Sequence, residues 1–165
     1  MRRHQTIVVA SFLAIAASFC FPPRTAAAQA GVPVTSPQSV KWGPAPAVFE
    51  PGAQMAVVQG DPSKAGEEFT VRLRFPSGYK VQPHTHPTAE NVTVLAGTFL
   101  VGMGEKFDPT KLIALAPGGF VTAPAAHAHY AVARGETVVQ VHAIGPFVLT
   151  YVNPADAPVA MKTQR

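Results

Sequence analysis

The chain has 165 residues, of which 47% are hydrophobic and 13% charged, and its formal net charge is +4. Arg2, Arg3 and Arg24 lie in the first thirty positions, and the rest of the chain has 10 basic and 9 acidic residues, a net charge of +1. The only cysteine, Cys20, also lies in that first segment. The near-neutral remainder argues against a nucleic-acid partner, and its lack of cysteine excludes disulfides, thiolate metal ligands and a cysteine nucleophile.

Residues 1–30 have the pattern of a secretory signal peptide. A basic start is followed by an apolar run over residues 7–21 and by Ala28-Gln29-Ala30, which fits an A-x-A cleavage site. The apolar run is shorter than the roughly twenty residues that cross a bilayer. We therefore expect cleavage near Ala30, a periplasmic or secreted protein, and no stable membrane insertion afterwards. The alternative is an uncleaved N-terminal anchor.

The remaining chain divides into a Pro-rich lead-in at 31–53, a β domain at 54–155 and a short tail at 156–165. Short apolar or alternating segments recur every eight to twelve residues from position 54 onward, with Gly and Pro between them. This pattern is typical of an all-β antiparallel sandwich or barrel. Asp108-Pro109 predicts one helical turn. We predict strands at residues 56–58, 68–75, 91–95, 98–103, 119–122, 127–133, 137–143 and 147–152.

Three polar side chains lie close together in GYKVQPHTHPTAENVTVLAG, residues 78–97. His84 and His86 are two apart, so an extended strand points both to one face. Glu90 follows a short turn that returns its carboxylate beside them. Two imidazoles and a carboxylate leave positions on a metal for a fourth ligand, water or substrate. His127 and His129, on a later predicted strand, are the source of a fourth ligand.

These residues resemble the two sequence motifs of the cupins. The first motif is matched at every fixed position, and the second is matched in part. Alanine replaces the glycine of the second motif at position 126 and its terminal asparagine at position 133. The resemblance covers residues 54–152. The matching residues are Gly78, His84, His86, Glu90 and Gly97 in the first motif, and Gly118, Pro124 and His129 in the second.

The resemblance implies a single cupin jelly-roll β-barrel, an antiparallel double-stranded β-helix. It implies that His84, His86, Glu90 and His129 bind one divalent metal ion. Imidazole and carboxylate ligands suit manganese, iron, nickel and zinc, and the resemblance favours manganese or iron. The alternative is a barrel that has lost its metal. Cupin barrels often pair, so we expect a homodimer.

Three further polar residues are candidates for catalysis. His127 is two residues before His129 and, on the same strand face, would reach the pocket; the alternative is a histidine at the barrel mouth bonded to backbone or water. Gln140 and His142 have strand spacing, and facing inward they would bind a metal-bound water or a substrate oxygen. The alternative puts the neighbouring valines inward and this pair on the outer surface.

These observations favour a metal-dependent enzyme that acts on a small organic substrate. Its chemistry would resemble that of a dioxygenase, an isomerase or a decarboxylase. The pocket walls that we expect are apolar, which favours a partly apolar substrate. The alternative is a non-catalytic exported module that binds a metal or a small ligand. The expected wall residues are Val92, Val94, Phe99, Met103 and Phe120.

Overall fold

A computed structural model describes residues 34–158. From Thr35 onward these residues belong to one compact unit. The predicted signal peptide, the first residues of the lead-in and most of the predicted tail lie outside the described residues. The predicted domain boundaries therefore stay predictions. Within residues 34–158, no helix is both long and apolar enough to cross a bilayer.

The described chain consists of nine β-strands and three short 3-10 turns, with no α-helix, which confirms the all-β prediction. The 3-10 turn at Pro109–Lys111 begins after Asp108, whose side chain accepts a hydrogen bond from the Thr110 amide, as the sequence predicts. The strands are β1 (Gly43–Pro44), β2 (Gln54–Gln59), β3 (Glu68–Phe75), β4 (Lys80–Thr85), β5 (Glu90–Met103), β6 (Ile113–Leu115), β7 (Phe120–Ala123), β8 (His129–Ile144) and β9 (Thr150–Tyr151).

The strands form one antiparallel sheet that curls around two long strands, β5 and β8. The first half of β5 pairs with β7 and with the second half of β8, which also pairs with β3. The second half of β5 pairs with β6 and with the first half of β8, which also pairs with β4. Two sets of strands thus share β5 and β8, which is the arrangement of a jelly roll.

Both long strands were each predicted as two shorter strands. Gly97 and Gly135, which we placed in turns, lie within β5 and β8 at φ +74 and +75. The β5–β8 register is interrupted between Ala96 and Thr98, whose partners are Val138 and Arg134. The glycines therefore mark an irregularity that bends continuous strands, as a β-bulge does, and they do not end them.

The core lies inside the curled sheet. In β3, Phe69, Val71, Leu73 and Phe75 alternate with more exposed polar residues and are buried. Burial of such side chains contributes roughly 1.5–3 kcal/mol each. Phe49 is also buried in this core, so the Pro-rich lead-in packs against the barrel.

Candidate metal centre

The four predicted ligands converge on one end of the barrel interior. His84 lies in β4, where it pairs with both His129 and Tyr151. His86 follows the end of β4, Glu90 begins β5, and His129 begins β8. All four are buried, with relative exposures of 4% for His84, 5% for His86 and His129, and 7% for Glu90. Burial of four ionisable side chains together requires that they satisfy one another or bind an ion.

The three histidines offer one ring nitrogen each, and these atoms lie within 4.8 Å of one another. Glu90 Oε2 lies 3.2 Å from His129 Nε2 and 3.6 Å from His86 Nε2. The His84 and His129 rings are the closest pair, with centroids 4.2 Å apart. The structure thus brings together the four residues for which the resemblance implies metal binding.

Backbone carbonyls fix which nitrogen of each ring faces the centre. His84 Nδ1 donates to the Gln82 carbonyl over 2.7 Å, and His86 Nδ1 donates to the Val148 carbonyl over 2.8 Å. His129 Nδ1 donates to the His127 carbonyl over 3.0 Å. Because a carbonyl only accepts, each Nδ1 carries the proton and each Nε2 is left for the centre. Such outer hydrogen bonds orient the histidine ligands of metal sites.

The charges of the cluster suit a cation. Burial lowers the pKa of His84 to about 3 and, with the nearby histidines, keeps this ring neutral. Burial also lowers the pKa of His86. Burial alone would raise the pKa of Glu90, but its hydrogen bond with His129 and the nearby His86 lower it overall. Glu90 is therefore an anion that faces two neutral Nε2 lone pairs.

His129 is the only histidine of the cluster whose pKa is raised. Burial disfavours its charged form, but the hydrogen bond to Glu90 raises the pKa of His129 overall. Its Nδ1 proton already goes to the His127 carbonyl, so a bond from Nε2 to Glu90 needs a second proton on the ring. A divalent cation would replace this proton and neutralise Glu90.

His86 gives the clearest sign that the residues fit a metal. Its Nε2 is buried and has no hydrogen-bond partner. A buried polar atom without a partner costs roughly 1–3 kcal/mol. Three imidazole nitrogens and one carboxylate match the preferences of first-row divalent metals, and they do not select among manganese, iron, nickel and zinc.

The cluster forms one wall of a cavity inside the barrel. The space inside it that a water-sized molecule can reach is about 30 Å³. Apart from the four clustered residues, every residue between positions 34 and 158 that lines it is apolar. The apolar lining consists of Phe49, Leu73, Phe75, Val81, Val92, Phe99, Val101, Met103, Val121, Ala123, Ala131, Val139, Phe147 and Leu149.

Two of the five expected wall residues are placed elsewhere. Val92, Phe99 and Met103 line the cavity, and Met103, at 38% exposure, stands where the cavity meets solvent. Val94 is buried in the core but does not line the cavity. Phe120 is 58% exposed, because it pairs with Thr93 on the outer face of the sheet.

The inward position predicted for the His127 ring is wrong. His127 precedes β8, in a turn that its amide closes by donating to the Pro124 carbonyl. Its side chain is exposed and does not line the cavity. The alternation of side chains along a strand therefore does not apply to His127, and it does not share a strand face with His129. His127 contributes to the site through its backbone carbonyl, which accepts a hydrogen bond from His129 Nδ1, and not through its ring.

The inward orientation preferred for Gln140 and His142 is also wrong. Their neighbours Val139, Val141 and Ala143 are buried, so the alternation of β8 turns the two polar side chains outward. Gln140 accepts a hydrogen bond from Arg72 Nε, and His142 Nδ1 lies 3.1 Å from Thr70 Oγ1. These contacts form a polar face on the outside of the barrel.

Sequence reasoning missed the segment that holds His86. Residues 147–152 were predicted as one strand, but β9 covers only Thr150–Tyr151. Phe147 and Val148 instead contact the His86 ring. These contacts join positions about sixty residues apart, so no local pattern reveals them.

The comparisons with known proteins agree with this architecture. The family model for the ChrR cupin-like domain matches residues 31–148. By sequence, no protein of curated function matches the chain.

Solved structures give the same fold at low identity. The polyketide cyclase RemF from Streptomyces resistomycificus is 17% identical, with a TM-score of 0.61 over 80% of this chain and 92% of its own. A candidate acetylacetone dioxygenase from Methylibium petroleiphilum is 18% identical, with a TM-score of 0.60 over 81% of this chain and 89% of its own. KdgF from a Halomonas species is 24% identical, with a TM-score of 0.51 over 67% and 93%.

At these identities the solved structures establish the fold alone, whereas the family model spans most of the chain. The curled antiparallel sheet, the buried histidine cluster and the family match agree. This chain belongs to the cupin superfamily, in the family of ChrR cupin-like domains.

Proposed function

We propose that this protein is a metal-dependent enzyme, with one divalent ion bound by His84, His86, Glu90 and His129. The observation that carries the proposal is the convergence of three Nε2 atoms whose Nδ1 partners are backbone carbonyls. Glu90 supplies the negative charge. Manganese or iron is favoured, and nickel and zinc are the alternatives.

The cavity supports a small, partly apolar organic substrate. Its lining supports this class of substrate, whereas its water-accessible space, about 30 Å³, is well below the roughly 300–1,000 Å³ of small-molecule sites, so binding requires that lining side chains move apart. Among the described residues that line it, only the four proposed ligands are polar. A charged group on the substrate could therefore be stabilised only beside the proposed metal site. The rest of the substrate would contact aliphatic and aromatic side chains.

The same lining narrows the chemistry. Within residues 34–158, the cavity wall offers no acid or base besides the proposed ligands. A bound redox-active metal would supply oxygen chemistry, and a Lewis-acid metal would polarise a carbonyl. The chain's own residues would orient the substrate against apolar walls and exclude water. Dioxygenase-, isomerase- and decarboxylase-like reactions fit a site in which the metal supplies the chemistry and the protein positions the substrate. The fold shared with a cyclase and a candidate dioxygenase supports this proposal.

Metal content tests the ligand assignment. We expect about one divalent ion per purified chain, measured by elemental analysis, and its loss in His86→Ala and Glu90→Ala. His127→Ala is the matched control, because only the backbone carbonyl of His127 contacts the site. Retention of the metal in both ligand variants would show that the ligands are assigned wrongly.

Substrate assays then separate the enzyme from a binding module. The metal-loaded protein would be tested for oxygen uptake with catechols, thiols and β-dicarbonyls, and for product formation without oxygen. Turnover that is lost in Glu90→Ala supports the enzyme. Ligand binding without turnover across the panel would favour the non-catalytic module instead.

We also propose that the protein works as an exported homodimer. The pattern of residues 1–30 supports export, and N-terminal sequencing of the protein recovered from the periplasm or medium tests cleavage near Ala30.

The proposed homodimer is supported by exposed apolar side chains on the edge strands β6 and β7. These are Ile113, which is 65% exposed, and Phe120, which is 58% exposed. Light scattering that gives a monomer mass at micromolar concentration would contradict the dimer.

A further inference from the structure

His86 differs from the other two histidines of the site in what holds it. His84 and His129 lie in strands and pair with each other across the β4–β8 ladder. His86 lies beyond the end of β4, outside that ladder. The backbone of its own strand therefore does not fix the direction of its ring. Its Nε2 is nevertheless buried and aimed at Glu90 Oε2, 3.6 Å away.

A distant segment supplies the missing restraint. The Val148 carbonyl accepts from His86 Nδ1 over 2.8 Å. The Phe147 ring lies against the His86 ring with an interplanar angle of 12° and a centroid distance of 5.1 Å. The hydrogen bond fixes one edge of the imidazole, but the ring can still tilt about that bond. The parallel contact with Phe147 fixes the plane.

Phe147 is itself held by the barrel. Its ring packs on Phe69, with centroids 5.3 Å apart, and Phe69 is fully buried in β3. Its amide donates to the Pro62 carbonyl over 2.7 Å. The Gly145 amide, two residues earlier, donates to the Glu67 carbonyl. The segment that contacts His86 is thus anchored at its backbone and at its side chain.

We infer that Phe147 is a positioning residue of the metal site, which holds the His86 ring in the plane that directs Nε2 to the metal. This inference rests on the proposed metal site. Phe147 would set how tightly the ion is held without contacting it. Aromatic contacts and outer hydrogen bonds of metal ligands act in this way.

Phe147→Leu tests the inference, because leucine keeps an apolar side chain on Phe69 but has no ring to hold His86. We expect a loss of about tenfold in affinity for Co²⁺ or Zn²⁺, measured by competition with a chromophoric chelator. We also expect a changed visible absorption spectrum of the Co²⁺-loaded protein, because the direction of the His86 nitrogen changes.

Phe99→Leu is the matched control. Phe99 also lines the cavity, but its ring contact is with Phe75. It should lower the melting temperature while leaving Co²⁺ affinity and spectrum unchanged. A positioning role predicts the changes in Phe147→Leu alone.

The outcomes separate the two proposals. If the wild type binds no divalent metal, the proposed function itself fails. If the wild type binds Co²⁺ and Phe147→Leu retains the same affinity and spectrum, only the role of Phe147 is overturned. Equal losses of affinity in both leucine variants would also overturn it, because they would reflect general loosening of the core.

Discussion

Ala126 has a backbone conformation that favours glycine. Its φ is +58, and it is the only non-glycine residue with positive φ in the part of the chain that the structure describes. It occupies the position where the second cupin motif has glycine. Its amide donates to the His86 carbonyl over 2.8 Å, so this hydrogen bond joins the strained turn to the segment that contains His86. The hydrogen bond explains why the conformation persists without glycine.

Ala126→Gly is therefore expected to stabilise the protein. The left-handed conformation costs an L-residue roughly 1–2 kcal/mol, and the greater freedom of glycine in the unfolded chain offsets about 0.4–1 kcal/mol of the gain. The net increase in the free energy of unfolding should be about 0.5–1 kcal/mol, measured by denaturant titration. Ala125→Gly, at the neighbouring turn position with ordinary φ, should destabilise instead. A loss of stability in both variants would contradict the strain at position 126.

The convergence of the four proposed ligands could be anticipated because three of them are close together in the sequence. His84, His86 and Glu90 lie within one short hairpin, and their spacing matches a single motif that implies metal binding for all three. The positions of Gln140 and His142 were not predictable in the same way. A period of two says that residues alternate, but it does not say which face is inward. Apolar burial decides the matter, since Val139 and Val141 are each 1% exposed.

Gly97 is the point where β5 bends between the two halves of the sheet. Its φ is +74, and an added methyl group would overlap the Glu136 carbonyl oxygen and lie 2.8 Å from the Thr137 Cα. Gly135, on the facing strand, has nearly the same φ of +75, but a methyl group added there would meet no atom within 4 Å. A comparison of the two glycines therefore distinguishes the cost of positive φ, which both share, from the cost of steric overlap, which only Gly97 has.

Replacement of these glycines by alanine should therefore have unequal effects. Gly135→Ala should lower the free energy of unfolding by about 1 kcal/mol, the cost of its left-handed conformation. Gly97→Ala should lower it by about 3 kcal/mol, because the bulge must also shift to relieve the overlap. Denaturant titration of both variants measures the difference. Equal losses would show that the backbone near Thr137 moves aside without cost.

Local sequence patterns predicted where the strands lie, but they did not predict which strands are continuous. The alternation over Glu68–Phe75 gave the bounds of β3 correctly, because one face is apolar core and the other carries polar side chains along its whole length. Gly97 and Gly135 looked like turn residues, since a glycine with positive φ serves a turn and a bulge equally well. Only the pairing of β5 with β8 along their lengths distinguishes the two, and such pairing is not a local property.

The proposed metal site requires the complete fold. Its proposed ligands come from β4, the loop after it, β5 and β8, and the carbonyls that orient them include that of Val148, after the end of β8. The unfolded chain therefore cannot present this arrangement of four ligands. A ligand that binds the folded state alone raises the free energy of unfolding in proportion to the logarithm of its concentration over Kd. Metal affinity and fold stability are thus linked.

Metal addition should raise the melting temperature of the protein. At a free metal concentration of about one hundred times Kd, the stabilisation is about 2.7 kcal/mol, which corresponds to a rise of roughly 10 °C for a domain of this size. Thermal unfolding with Mn²⁺ or Zn²⁺ would be compared with unfolding after a chelator, and the chelator should reverse the shift. His86→Ala should show no shift, while His142→Ala should match the wild type, because His142 lies on the outer face. An equal rise in His86→Ala would place the stabilising ion at a different site.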